Sequence, residues 1–293
     1  MYNVKRNSEK KRFVVFVLRT LVKRKQMAAL TKFFDETKIK KEIVKAKPYF
    51  FEQATRQFFY KGSQFDERVK LIKENMDFLT ETFSEDSLRH IYVDGSGIEL
   101  WSEEYLGKKL SFQLKFSGGQ QKEGTLSIIL KWDKTYLYQM MFWIAKDMKT
   151  DQYDLFIGAM QGPNVDNANE IIKVLTKQFF GYRTKNLILY ATRAFARAIG
   201  VTRIYAVTNE GYYANNHIRI DRKLKTSFND FWAETGGTPC EDKRFYELPL
   251  TEYRKTLEEV KTHKRNLYRK RFEVLDRIDL AIHNAIKKCL RAK

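Results

Sequence analysis

Apolar residues recur at helical spacing through the first third of the chain. "RFVVFVLRTLVKRKQMAALTKFF", "PYFFEQATRQFFY" and "FDERVKLIKENMDFLTETF" place large side chains three and four positions apart, which predicts helices. Pro48 restarts a helix and Lys61-Gly62-Ser63 ends one. At Asp94-Gly95-Ser96-Gly97 the character changes. From Ile98 to Ile144 aromatic and β-branched residues dominate, predicting antiparallel strands with hairpin turns at Ser117-Gly118-Gly119 and Asp133-Lys134. Tyr153 to Pro163 predicts a buried strand running into a Gly-Pro turn. A helix over about 166–179 follows, with Ile171, Val174, Leu175 and Phe179 on one face. A second helix begins near Lys185, carries Leu187, Ala191, Ala194 and Ala198 along one stripe, and stops at Gly200. "VTRIYAVTN" and "RFYELPL" predict short strands. From Glu252 to Leu290, Val260, Leu267, Leu275, Ile278, Ile282 and Ile286 predict one long helix. Helices, then antiparallel strands, then strand–helix–strand define an α+β fold. Three regions are expected: a basic helical region (1–93), a mixed core (94–250) with a mostly antiparallel sheet and a strand–helix–strand centre, and a long basic C-terminal helix (251–293) packed on that core.

Charge changes this picture. The 293 residues carry 55 Lys and Arg against 36 Asp and Glu, a formal net charge of +19. Residues 1–50 hold 15 against 4, a net of +11, and residues 251–293 hold 13 against 6, a net of +7. The body between is close to neutral. Basic ends on a neutral body fit an anionic lipid or envelope precursor, or are solvated helix faces. Nucleic acid ranks behind lipid, because no nucleic-acid-binding motif accompanies the charge. Cys240 and Cys289 cannot form a disulfide framework, and no disulfide-linked partner is expected. The start of the chain imitates a secretory leader, but the apolar run "FVVFVL" stops at Arg19 after six residues. The expectation is a cytoplasmic protein that meets the inner membrane, if at all, peripherally through this helix.

Candidate chemistry is sparse. His90, His217, His263 and His283 are scattered, so no metal site is expected, and the usual hydrolase, nucleotide and dinucleotide motifs are missing. "NEGYYANNHIRIDRK", from 209 to 223, is the most polar and aromatic loop. It reads either as a surface loop or as a pocket lined by Tyr212, Tyr213, Asn215, His217, Arg219 and Arg222. On the pocket reading His217 is the candidate general base, with Tyr213 and Asn209 beside it. "GYRTKN", from 181 to 186, places Arg183 and Lys185 at the start of a helix, where side chains and free amides can hold a phosphate. "THKRNLYRKR" puts Arg265 and Arg269 on one helix face as a second anion clamp.

Six segments in order, "FIGAMQGPNVDNANEII", "TKQFFGYRTKNLIL", "RAFARAIGVTRIYAVTN", "FNDFWAETGG", "FYELPL" and "KTHKRNLYRKRFEVLD", resemble the VirK/YbjX family of bacterial proteins. The chain departs from that family at Thr184, at Tyr212-Tyr213 and at Thr262-His263. The resemblance implies a Gram-negative source and an association with virulence and envelope properties such as resistance to cationic peptides. The order strand, basic turn, helix, Gly, strand, Asn also resembles the core of GNAT-type acetyltransferases. That likeness implies an acyl- or aminoacyl-transferase taking acyl-CoA or an acyl carrier, with "IGAMQG" as its splayed strand. The loop lacks the glycines such enzymes use, since Gly181 stands alone and Lys185 and Asn186 occupy positions where small residues are needed. The alternative is a non-catalytic factor that binds membrane or lipid through the basic termini.

Overall fold

The computed structural model describes residue 2 and residues 5–116, 121–147, 150–215 and 227–291. The N-terminal region folds into α1 (Asn7–Val22), α2 (Arg24–Asp35), α3 (Lys38–Ala46), α4 (Tyr49–Thr55), α5 (Phe65–Thr82) and α6 (Glu85–Leu88), followed by a π-helical turn, Arg89–Val93. Local chemistry sets their starts. Thr37 and Ser84 accept backbone amides at the heads of α3 and α6, and Gln64 with Glu67 forms a reciprocal cap on α5.

Among the described residues, one sheet of eight strands forms the body: β1 (Ile98–Tyr105), β2 (Lys108–Lys115), β3 (Leu126–Trp132), β4 (Thr135–Lys146), β5 (Tyr153–Gln161), β6 (Ile204–Val207), β7 (Thr238–Pro239) and β8 (Phe245–Leu248). The order is β1-β2-β3-β4-β5-β6-β8-β7, and every neighbouring pair is antiparallel except β5 with β6. Asp133-Lys134 turns β3 into β4 as expected; Ser117-Gly118-Gly119 lies outside the described residues. The run from Ile98 to Phe116 is divided by a turn that its apolar pattern hides. Leu106 and Gly107 both take positive φ, 55° and 71°, the backbone of a two-residue hairpin loop.

Helices cover both faces. On one side Phe142 of β4 meets Phe195 of α8 (Thr184–Ala198), with ring centroids 5.4 Å apart. On the other, Trp143 meets Phe59 at 5.2 Å and stacks on Phe156 at 5.4 Å. A strand buried on both faces loses its polar alternation, and β4 is accordingly buried without a break from Met140 to Ala145. β4 also outruns β3. Its further amides are met by α5, where Asn75 Oδ1 accepts from Ile144 N at 2.9 Å and Glu74 accepts from Lys146 N at 3.2 Å.

Between β5 and β6 the chain makes α7 (Ala168–Gln178) and α8, and α9 (Phe228–Glu234) precedes β7. The expected helix from 252 to 290 is shorter in fact. α10 spans Arg265–Cys289, after a short 3-10 turn at Thr262–Lys264. Tertiary contacts hold the preceding strap in another shape: Glu252 accepts from the Tyr182 hydroxyl at 2.5 Å, and Arg254 grips Asp276 at 2.6 Å and the Tyr190 hydroxyl at 2.8 Å. Val260 is therefore buried from the strap, and Leu267 is exposed. Leu275, Ile278, Ile282 and Ile286 do form the buried stripe of α10, against α8 and β1. The segment at the end of α10 closes on the N-terminal region. Leu290 bridges Phe83, Ser84 N donates to Cys289 O, and Arg291 N donates to Thr82 O, both at 2.9 Å.

Candidate functional site

β5 is paired with β4 along its length but with β6 only from Leu155 to Ile157. Beyond Ile157 the parallel strands part. β5 continues to Gln161, while the chain leaving β6 is drawn away at Thr208, whose amide and hydroxyl donate to the carbonyls of Arg244 and Lys243 at 2.9 Å. The end of β5, Ala159–Gln161, thus lines a cavity of about 1030 Å³. β4, α7, the first turn of α8 and α9 wall it, together with Tyr212 and Tyr213. A smaller hollow of about 380 Å³ shares Tyr138, Gln161, Gly162 and Asn164 with it.

The chemically distinctive group here is Glu123, which the sequence pattern does not reveal. It is placed by close backbone packing. A bulge between Met141 and Phe142 leaves Gly158 as the extra residue of β5, and the Glu123 carbonyl fills the space that a Cβ on Gly158 would need. Gly124 is pressed hard as well, with the Phe142 carbonyl oxygen 2.6 Å from its own Cβ position. The N-terminal region pins the same segment: Gln53 Nε2 donates to Gln121 O at 2.6 Å and to Gly124 O at 3.1 Å, and Phe59 N donates to Lys122 O at 2.8 Å.

Glu123 is buried, and burial pushes its carboxyl up to about 7, against the smaller opposing pull of Tyr212 and Lys122. Tyr212 donates its hydroxyl to Glu123 Oε1 at 3.1 Å, while Oε2 is buried with no hydrogen-bond partner among the described residues. Tyr212 packs edge-on against Tyr213 and Phe228. Burial and the adjacent Glu123 carboxylate both raise its phenol well above the ordinary tyrosine range. The arrangement is a carboxyl whose proton affinity burial raises, beside a cavity-facing strand end, Ala159 and Met160, that can meet an amide-bearing ligand.

The residues singled out from sequence fall in different places. Tyr213 and Lys185 line the cavity. Lys185 and Arg183 both pair with Glu234 of α9, Lys185 at 3.1 Å, so the two cations at the head of α8 hold a protein carboxylate. The lone glycine of "GYRTKN" ends a helix. Gly181 N donates to Thr176 O at 2.8 Å and Phe180 N to Lys177 O at 3.0 Å, with Phe180 at φ 52°, which together make a Schellman cap on α7. Asn209 is a knot in the loop: its side chain donates to Ser227 Oγ and accepts from Phe228 N, and its own amide donates to Asn229 Oδ1. Arg265 donates to Val260 O at 3.3 Å, and neither it nor Arg269 lines the cavity. His217, Arg219 and Arg222 lie outside the described residues. No group of three or more metal-binding side chains occurs among the described residues.

Fold and site together define an α+β protein with a mixed sheet, opened at its parallel junction into a cleft that holds a buried carboxyl. The family model described as "Protein of unknown function (DUF535)" matches residues 5–284, and the chain belongs to that family. It is 28% identical over 236 residues to "Uncharacterized protein YbjX" of Escherichia coli (strain K12), covering 79% of this chain and 68% of the relative. It is 29% identical over 224 residues to an "Uncharacterized protein" of Haemophilus influenzae, covering 74% and 70%. The first of these relatives carries the YbjX name of the VirK/YbjX resemblance. No solved structure matches the chain.

Proposed function

We propose that this protein is an acyltransferase whose donor, acyl-CoA or an acyl carrier, lays its amide-bearing arm along the cavity-facing edge of Ala159 and Met160. The observation that carries this reading is the position of Glu123, a buried carboxyl with a half-titration point near neutrality, at the head of that edge. The parting of two parallel strands beside a bulge resembles the acyl-CoA cleft of GNAT enzymes. The likeness stops at the phosphate turn, where this protein inserts α7 and its Schellman cap.

In the reaction, the acceptor amine or hydroxyl gives its proton to the Glu123 carboxylate and attacks the thioester carbonyl carbon. The new C–N or C–O bond forms, the C–S bond breaks, and the leaving thiolate takes that proton from Glu123, which returns the carboxylate. Tyr212 holds Glu123 in place through Oε1. On this reading the acceptor is an envelope lipid or precursor, which would link the activity to the envelope properties that the family resemblance implied.

Thermal unfolding with acetyl-CoA, longer acyl-CoAs and pantetheine tests the donor. A ligand at a hundred times its dissociation constant stabilises the fold by about 2.7 kcal/mol. Stabilisation by acyl-CoA that weakens in Arg183→Ala/Lys185→Ala is the expected result. No shift with any of these compounds would overturn the proposal.

A further inference from the structure

α1 leaves most of its aliphatic side chains outside. The side that faces the protein is mixed: Phe16 packs against the core, and the polar contacts come from two arginines. Arg12 reaches from α1 to Glu52 of α4 at 3.0 and 3.1 Å, and Arg19 donates to Thr55 O at 2.9 Å. Its apolar side faces out: Val14, Val15, Leu18, Leu21 and Val22 are all exposed, Leu21 at 64% and Val22 at 80%, and no residue of α1 is buried. At 100° per residue these five occupy an arc of roughly 120°. Cations border the patch along the chain, with Lys10 and Lys11 exposed before it and Arg24 and Lys25 exposed after it. Between Glu9 and Asp35 the sequence holds no acid at all.

We infer that α1 is a membrane-docking helix that lies in the interface of an anionic phospholipid bilayer, with Val14, Leu18, Leu21 and Val22 among the acyl chains and the flanking lysines on headgroup phosphates. Continuous exposed apolar surface on one helix face requires an apolar partner, and the flanking cations require that partner to be anionic. A bilayer surface meets both requirements in one plane. A second copy of this chain meets only the first, because it would set a segment carrying +11 against another of the same charge. No described helix is long and apolar enough to cross a membrane, so docking is by insertion of one face. The inference is independent of acyl transfer. It nonetheless gives the cleft an address: α4, which the two arginines hold to α1, carries the Gln53 that fixes the Glu123 segment.

Flotation of the full chain with vesicles of phosphatidylglycerol and phosphatidylethanolamine, or of phosphatidylcholine alone, tests this directly. Binding to the anionic vesicles should be about tenfold tighter or more, and should weaken in high salt. Leu18→Gln/Leu21→Gln/Val22→Gln should lose at least about tenfold in binding while unfolding at the wild-type temperature, because these side chains are already exposed. A single Leu18→Trp should shift its fluorescence to the blue on anionic vesicles. Absence of vesicle binding would overturn the inference, as would binding that the triple variant leaves intact. So would a dimer in solution that the triple variant dissociates, since a second copy would then cover the face.

Discussion

Two buried glutamates show how differently one residue type can be used in a single chain. Glu52, 1% exposed, is held by Arg12 on both oxygens and by Arg56 at 3.0 Å. Glu123, 4% exposed, has a tyrosine hydroxyl at 3.1 Å on one oxygen and no hydrogen-bond partner among the described residues on the other. The first is a compensated charge that fastens a helix. The second is only partly compensated, and burial pushes its carboxyl up to about 7. Burial alone does not set a carboxyl apart; incomplete neutralisation in a cavity wall is what makes Glu123 the candidate base.

On the proposed acyl transfer, the largest expected break in this comparison is catalytic. Glu123→Gln should lower kcat by about 10³, the scale of a lost general base, and wild-type kcat/KM should rise with pH through about 7. The same variant should gain stability. Because the folded-state value lies above the ordinary 4.5, folding takes up a proton between the two values, and wild-type stability falls as pH rises through that window. Denaturant titration should find Glu123→Gln equal to wild type near pH 4 and more stable by up to about 3 kcal/mol at pH 8. Next in size, Gly158→Ala drives a Cβ into the Glu123 carbonyl and should cost about 3 kcal/mol in the same titration. Glu52→Ala should cost less, about 2 kcal/mol, since Arg12 and Arg56 are each about a third exposed and regain water when released. Glu234→Gln should have the smallest effect. Freed of their carboxylate, Arg183 and Lys185 should bind acyl-CoA a few-fold more tightly by calorimetry, a gain of under about 1 kcal/mol.

Long periodic segments were the legible part of this fold. The α7 and α8 stripes, the strands on either side of them and the Asp133-Lys134 turn all follow from local pattern. The Leu106-Gly107 turn was hidden because leucine rarely takes positive φ, and the strap at 249–264 because long-range ion pairs outweigh its helical periodicity. Of the site, Tyr212, Tyr213 and Lys185 stand out as polar or aromatic residues next to strand or helix ends. Glu123 sits in "GGQQKEGT", which looks like any solvated turn. The available signal was indirect: Gly158 inside an apolar strand and Gly124 after the acid both mark close backbone approach.

The pairing of Leu290 with Phe83 has a consequence for the order of folding. The antiparallel strands β1 to β5 join near neighbours in sequence and can form early. By contrast, the bonds from Arg291 N to Thr82 O and from Ser84 N to Cys289 O close a loop of most of the chain. Loop closure of that span slows a step far more than it weakens the product. During synthesis, the edge of the N-terminal helices therefore stays unsealed until α10 and the residues just after it have been made.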